Sequence, residues 1–96
     1  MNLMSVYQKK EDIVTRSIAD ETLLVPIRSQ MADMQRIFAL NPVAEYIWQQ
    51  LDGKQKLENI LEGITSNFNV EKVQAESDLQ EFILRLIKEG IIEEAP

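Results

Sequence analysis

The stretch Leu40-Asn41-Pro42-Val43-Ala44-Glu45-Tyr46-Ile47-Trp48, closing at Asp52-Gly53, constrains the fold more than any other part of the chain. It encodes a helix with both ends specified. Asn41 can accept hydrogen bonds from the orphan N–H groups of a first turn, and Pro42 stands where a missing N–H costs nothing. Gly53 offers the left-handed conformation that ends a helix. Val43, Ala44, Ile47, Trp48 and Leu51 recur on one face, so this helix is expected at the hub of a small core, with Trp48 packed inside it.

Ahead of that helix the pattern is that of strands. Ile13 to Ile18 is rich in β-branched residues, and Asp20-Glu21 can turn the chain into a second strand over Thr22 to Arg28. Pro26 cannot donate to a ladder, so the second strand is expected to bulge or end there. Met34 to Ala39 reads as a short third strand running straight into the Asn41 cap. Residues 1–12 are polar and are expected to form a flexible N-terminus, with Tyr7 as its candidate anchor.

Behind the helix the apolar period stays helical. Leu57, Ile60, Leu61, Ile64 and Phe68 mark a second helix, weakly capped because Lys56 offers no acceptor, with Gly63 costing about 1 kcal/mol relative to alanine. A third helix spans about Glu71 to Glu89 and stops at Gly90, after which Ile91-Ile92 is expected to fold back on the core. The expected fold is therefore α+β: a three-stranded antiparallel sheet followed by three helices, winged-helix-like, in a single domain over residues 13–92. Its core would join Trp48, Leu51, Leu61, Phe68, Phe82 and Leu86.

Composition excludes much chemistry. The 96 residues include no cysteine and no histidine, which removes thiolate catalysis, Cys/His zinc sites and the commonest general base. No pair of acids sits in an apolar setting that would split their pKa values, so no catalytic, cofactor or metal residues are expected and the chain reads as a non-enzyme. No apolar run of about 18 residues marks a membrane span, and Met1 to Asp12 lacks a signal-peptide core, so the reading is cytoplasmic. The net charge of −6 is carried wholly by residues 41–96. The third helix sets Lys72, Arg85 and Lys88 against Glu71, Glu76, Asp78, Glu81 and Glu89, an arrangement that phosphate charge would repel. Nucleic-acid binding by a winged helix thus ranks below a protein-binding role.

Two features can carry such a role. Along the third helix Ala75, Leu79, Phe82 and Leu86 form one apolar side, while Val73, Ile83, Leu84 and Ile87 form an adjoining one. The combined arc of roughly 180–200° exceeds the ~100° that one core contact needs. Sheet and helices can cover both sides, or the second can line a groove. The third strand in turn lies at a sheet edge in a simple meander, where Arg36 can blunt it or an extended peptide can pair with it. A second copy of the chain could use the same edge, which leaves a homodimer open.

The ordered set Leu40-Asn41-Pro42-Val43-Ala44, Ile47-Trp48, Asp52-Gly53, then Ile60, Asp78, Phe82, Leu86 and Gly90-Ile91-Ile92, resembles the PqqD family, with looser agreement at Val14, Arg16 and Leu23-Leu24-Val25-Pro26. The resemblance covers about residues 13–92. It implies a RiPP recognition element, a peptide chaperone that binds the leader segment of a ribosomally synthesised precursor. The leader would be presented to a maturation enzyme such as a radical S-adenosylmethionine enzyme or a leader peptidase. It also implies that the leader adds beside the third strand, at Met34, Gln35, Arg36, Ile37, Phe38 and Ala39, with Val73, Gln80, Ile83, Leu84 and Ile87 across the groove. Leu24-Val25-Pro26-Ile27 does not look like the matching segment of members serving pyrroloquinoline quinone synthesis, so lasso-peptide, thioether-peptide and other pathways stay open. The runner-up role is a structural adaptor without peptide binding.

Overall fold

A computed structural model describes residues 1–10, 12–28, 31–32 and 37–96, with the backbone alone at 28, 31 and 32. Its elements run β1 (Val6–Lys9), β2 (Ile13–Ile18), β3 (Glu21–Arg28), β4 (Met31–Ala32), β5 (Phe38–Leu40), α1 (Pro42–Gln50), β6 (Asp52–Lys56), α2 (Leu57–Asn67), α3 (Lys72–Lys88) and β7 (Ile92–Glu94). The α+β expectation stands, with two small antiparallel sheets in place of one. β3 pairs with β2 on one edge and with β4 and β5 on the other, while β1 lies between β6 and β7.

The N-terminus departs from the expectation of a flexible segment. Val6–Lys9 is the central strand of the second sheet. Its polar sequence hid this, because the strand is short and flanked by strands that are themselves polar (Asp52–Lys56 and Ile92–Glu94). The same segment resolves the weak cap of α2. Lys56 makes no side-chain cap bond, and instead the backbone N–H groups of Leu57 and Glu58 donate to the carbonyls of Ser5 (3.0 Å) and Leu3 (2.9 Å). Tertiary backbone contacts thus satisfy donors that a side chain would otherwise have to reach.

Pro26 neither ends nor displaces β3, which pairs Ile13 with Pro26 and continues to Arg28. The Ile27 N–H donates toward β2, to the Asp12 carbonyl at 2.7 Å. Alternation along a strand therefore turns the proline nitrogen to the opposite edge. On that edge β5 pairs as far as Leu24 and β4 begins at Ile27, so the missing donor faces the gap between them. The third strand expected over Met34 to Ala39 is accordingly β5, shorter and shifted toward the helix; Met34, Gln35 and Arg36 lie outside the described residues.

The β2–β3 hairpin turns one residue earlier than expected, through Ala19 and Asp20, with Ala19 in the left-handed region at φ 56°. A non-glycine residue there is strained by roughly 1–2 kcal/mol. Ala19→Gly is therefore expected to raise stability by about 1 kcal/mol, since relief of the strain exceeds the added freedom of the unfolded chain. Urea denaturation of both proteins checks this.

Asn41 caps α1 as its sequence predicts, its Oδ1 accepting from the Ala44 N–H at 2.8 Å. The helix closes at Leu51, two residues before Gly53. Gly53, at φ 79°, instead serves the bulged strand β6, where the register moves from Lys56 opposite Val6 to Asp52 opposite Gln8. Asp52 Oδ1 accepts from the N–H groups of Lys54 (2.8 Å) and Gln55 (3.0 Å). These donors hold the Asp52 carboxyl below its ordinary pKa, so the turn is fully supported above the usual carboxylate range and weakens as pH falls through the lowered value. At the end of α3, Gly90 (φ 72°) donates to Ile87 and Ile91 donates to Leu86, a Schellman closure that delivers Ile91 and Ile92 into the core.

That core contains Leu24, Phe38, Leu40, Ile47, Trp48 and Leu51, the buried stripe Leu57, Ile60, Leu61 and Ile64 of α2, and Ala75, Leu79, Ile83 and Leu86 of α3. Phe68 and Phe82, expected inside, pack against it half-buried. Gly63 has a packing reason that propensity alone does not reveal. A Cβ there would collide with the hydroxyl of Tyr46, whose ring meets Phe68 edge-on at 5.7 Å. Gly63→Ala is expected to destabilise the protein despite alanine's helix preference. In a Tyr46→Ala background the same change becomes stabilising by about 1 kcal/mol. A four-protein denaturation cycle reads the change of sign.

Candidate peptide-binding groove

The strand-to-helix junction builds the site. Because Asn41-Pro42 starts α1 directly after Leu40, β5 is anchored at its C-terminal end against the first turn of α1. Side chains alternate along β5: Phe38 and Leu40 are buried and Ala39 is exposed. Among the described residues β5 pairs with β3 alone, and no described strand lies on its outer edge. α3 passes beside that edge and leaves a groove of about 280 Å³.

The apolar lining is Phe38, Ala39, Leu40, Val43, Ala44, Ile47 and Phe82. One wall, the α3 side, adds Asp78, Glu81 and Arg85, and Asn41 closes the end with its Oδ1 committed to the helix cap. Arg85 reaches over the Phe38 ring, its guanidinium carbon 4.5 Å from the ring centroid. Such a cation–π contact at an exposed site contributes about 0.5–1 kcal/mol and ties α3 to β5. Asp78 accepts from Gln74 Nε2 at 2.7 Å, one turn back on the same helix. Outside the groove lining, Lys9 Nζ sits 4.9 Å from the Trp48 ring centroid, and desolvation lowers its pKa against the raising influence of Asp52. Trp48 itself is 4% exposed and packs in the core.

The residues singled out in the sequence divide in this geometry. Phe38 and Ala39 line the groove, and Ile37 is half-buried just before β5. Ile83 belongs to the core at 2% exposure. Val73 (81% exposed), Leu84 (57%) and Ile87 (40%) are outside the groove, as is exposed Gln80. At 100° per residue these four cluster about 140° around α3 from Asp78, Glu81, Phe82 and Arg85. The wide apolar arc of α3 is real, but it turns its other flank to the β5 edge. Phe82, read as core, is the groove's apolar wall, and the polar residues around it carry no hydrophobic signal. Their spacing at i, i+3, i+4 and i+7 marks a shared face, whereas only the packing of α3 on the sheet decides which face is opposite β5.

The family model described as Coenzyme PQQ synthesis protein D (PqqD) matches residues 21–92, from the first residue of β3 into β7. The chain belongs to the PqqD family. Among solved structures, "TbiB1 in Complex with the TbiA(beta) Leader Peptide" superposes with a TM-score of 0.71 at 24% identity, over 90% of this PqqD-family chain and 94% of that one. At that identity the likeness shows a common fold. A search of curated proteins returns no match. No helix among the described residues is long and apolar enough to cross a membrane.

Proposed function

We propose that this PqqD-family chain is a non-catalytic recognition domain that binds the leader segment of a ribosomally synthesised precursor peptide and presents it to a modifying enzyme. The observation that carries this reading is the outer edge of β5, on which no described strand lies, beside an apolar groove. An added strand finds backbone partners on the edge and places alternate side chains into the groove. The structural likeness to TbiB1, a protein solved with a leader peptide, supports the same reading. Two or three anchors buried at about 1.5–3 kcal/mol each, with backbone pairing, support affinity of about micromolar once ordering costs are subtracted. The presenting role takes a maturation enzyme, such as a radical S-adenosylmethionine enzyme or a leader peptidase, as the second partner.

Fluorescence anisotropy with the labelled leader of a precursor encoded beside this gene tests the proposal. Saturable binding of a one-to-one complex is expected. Retention of the protein on DNA at physiological salt, with no leader binding, would instead favour the winged-helix alternative.

A further inference from the structure

The groove is electrically lopsided. Its floor is apolar, and its charges all sit on the α3 wall: Asp78, Glu81 and Arg85. Arg85 is already engaged, stacked on Phe38 at 4.5 Å. The two carboxylates are not matched in the same way. Asp78 receives one neutral hydrogen bond from Gln74, and neither it nor Glu81 forms an ion pair among the described residues. A groove with an apolar floor and, on one wall, two carboxylates outside any ion pair against the single cation of Arg85 complements an apolar side chain with a cation beside it.

Resting on the groove-binding reading above, we infer that the docked segment carries a lysine or arginine two positions from its apolar anchor, held by Asp78 and Glu81. The spacing follows from the geometry of the two elements. Side chains two apart on an added strand point to the same face, roughly 6.5–7 Å from one another. Asp78 lies one turn from Phe82 on α3, a rise of about 6 Å. With the added strand running along α3, an anchor seated against Phe82 brings the side chain two positions away to Asp78. Glu81, adjacent to Phe82, borders the same space. The general acidity of residues 41–96 attracts a basic segment from a distance, but this local pair selects the position of the charge.

The test uses the full chain as selector and random extended peptides of about 12 residues, displayed on phage, as the probe. Enriched peptides are expected to share an apolar residue with Lys or Arg two positions away. Replacing that base by glutamine in a synthesised winner should weaken binding about five- to twentyfold. The Asp78→Asn/Glu81→Gln double variant should bind the original and the glutamine peptide nearly equally. A selected motif that is acidic or indifferent to charge at this position overturns the inference while leaving groove binding intact. So does a basic preference that survives in the double variant, because overall charge then explains it. If the winners fail to move the amide signals of Ala39 and Phe82, groove binding itself falls, and this inference with it.

Discussion

Deletion of residues 1–9 should leave the protein largely unfolded at room temperature, although the family match begins only at residue 21. β1 is the one strand that joins β6 to β7, so its loss removes both ladders of that sheet at once. It also frees the first-turn donors of α2 that Leu3 and Ser5 accept, and the Ala95 N–H that Val6 accepts at 2.8 Å. Each such hydrogen bond contributes about 1 kcal/mol net, and the contacts of Leu3 and Tyr7 with the core add to it. The combined loss of several kcal/mol is comparable to the whole stability expected at this length, about 5–14 kcal/mol. Circular dichroism melts of the full and shortened chains check the result. Removal of residues 1–2 alone, which leaves the accepting carbonyls of Leu3 and Ser5 in place, should cost far less. An unchanged melting temperature for the longer deletion would mean that the N-terminus is as dispensable as its polar sequence suggests.

The largest effect on binding is expected from Phe82→Ala. Phe82 is half-buried, so its removal should cost the fold less than the 3–5 kcal/mol of a fully buried phenylalanine. In the complex the same ring forms the apolar wall against which an anchor seats. Losing an anchor pocket worth about 1.5–3 kcal/mol weakens leader affinity roughly 10- to 150-fold. Leu84→Ser, on the outward stripe of the same helix, should leave affinity within about twofold, since surface changes remote from a site are nearly silent. Calorimetric titration of both variants with the same leader separates the groove face from the outward face. The contrast also bears on the sequence reading, which favours Leu84 over Phe82.

Local chemistry was legible at several helix ends and along one helix face. Asn41-Pro42 starts α1, Gly90 closes α3, and the buried stripe of α2 falls on the expected positions. The second sheet was not legible, because its strands are short and polar and their pairing is long-range. Gly53 shows the ambiguity within a single residue: its left-handed conformation is used, but in the bulge of β6 instead of a helix end. For the site, the strand edge beside the Asn41 helix could be inferred from connectivity. The face of α3 that meets it could not, since a wide apolar arc fits two rotations of the helix and only packing against the sheet chooses. Ile83 inside the core, with Leu84 and Ile87 outside, is the result of that choice.

The central claim is that a leader peptide pairs with β5 and fills the groove against α3. Two-dimensional amide NMR of the labelled full chain, titrated with an unlabelled leader peptide, tests it most directly. The earliest and largest shifts are predicted at Phe38, Ala39 and Leu40 and at Asp78, Glu81, Phe82 and Arg85. Slowed amide exchange along β5 should accompany them as its edge acquires a partner. Saturable binding with shifts confined to Val73, Gln80, Leu84 and Ile87, or to the β6–β1–β7 sheet, would contradict it.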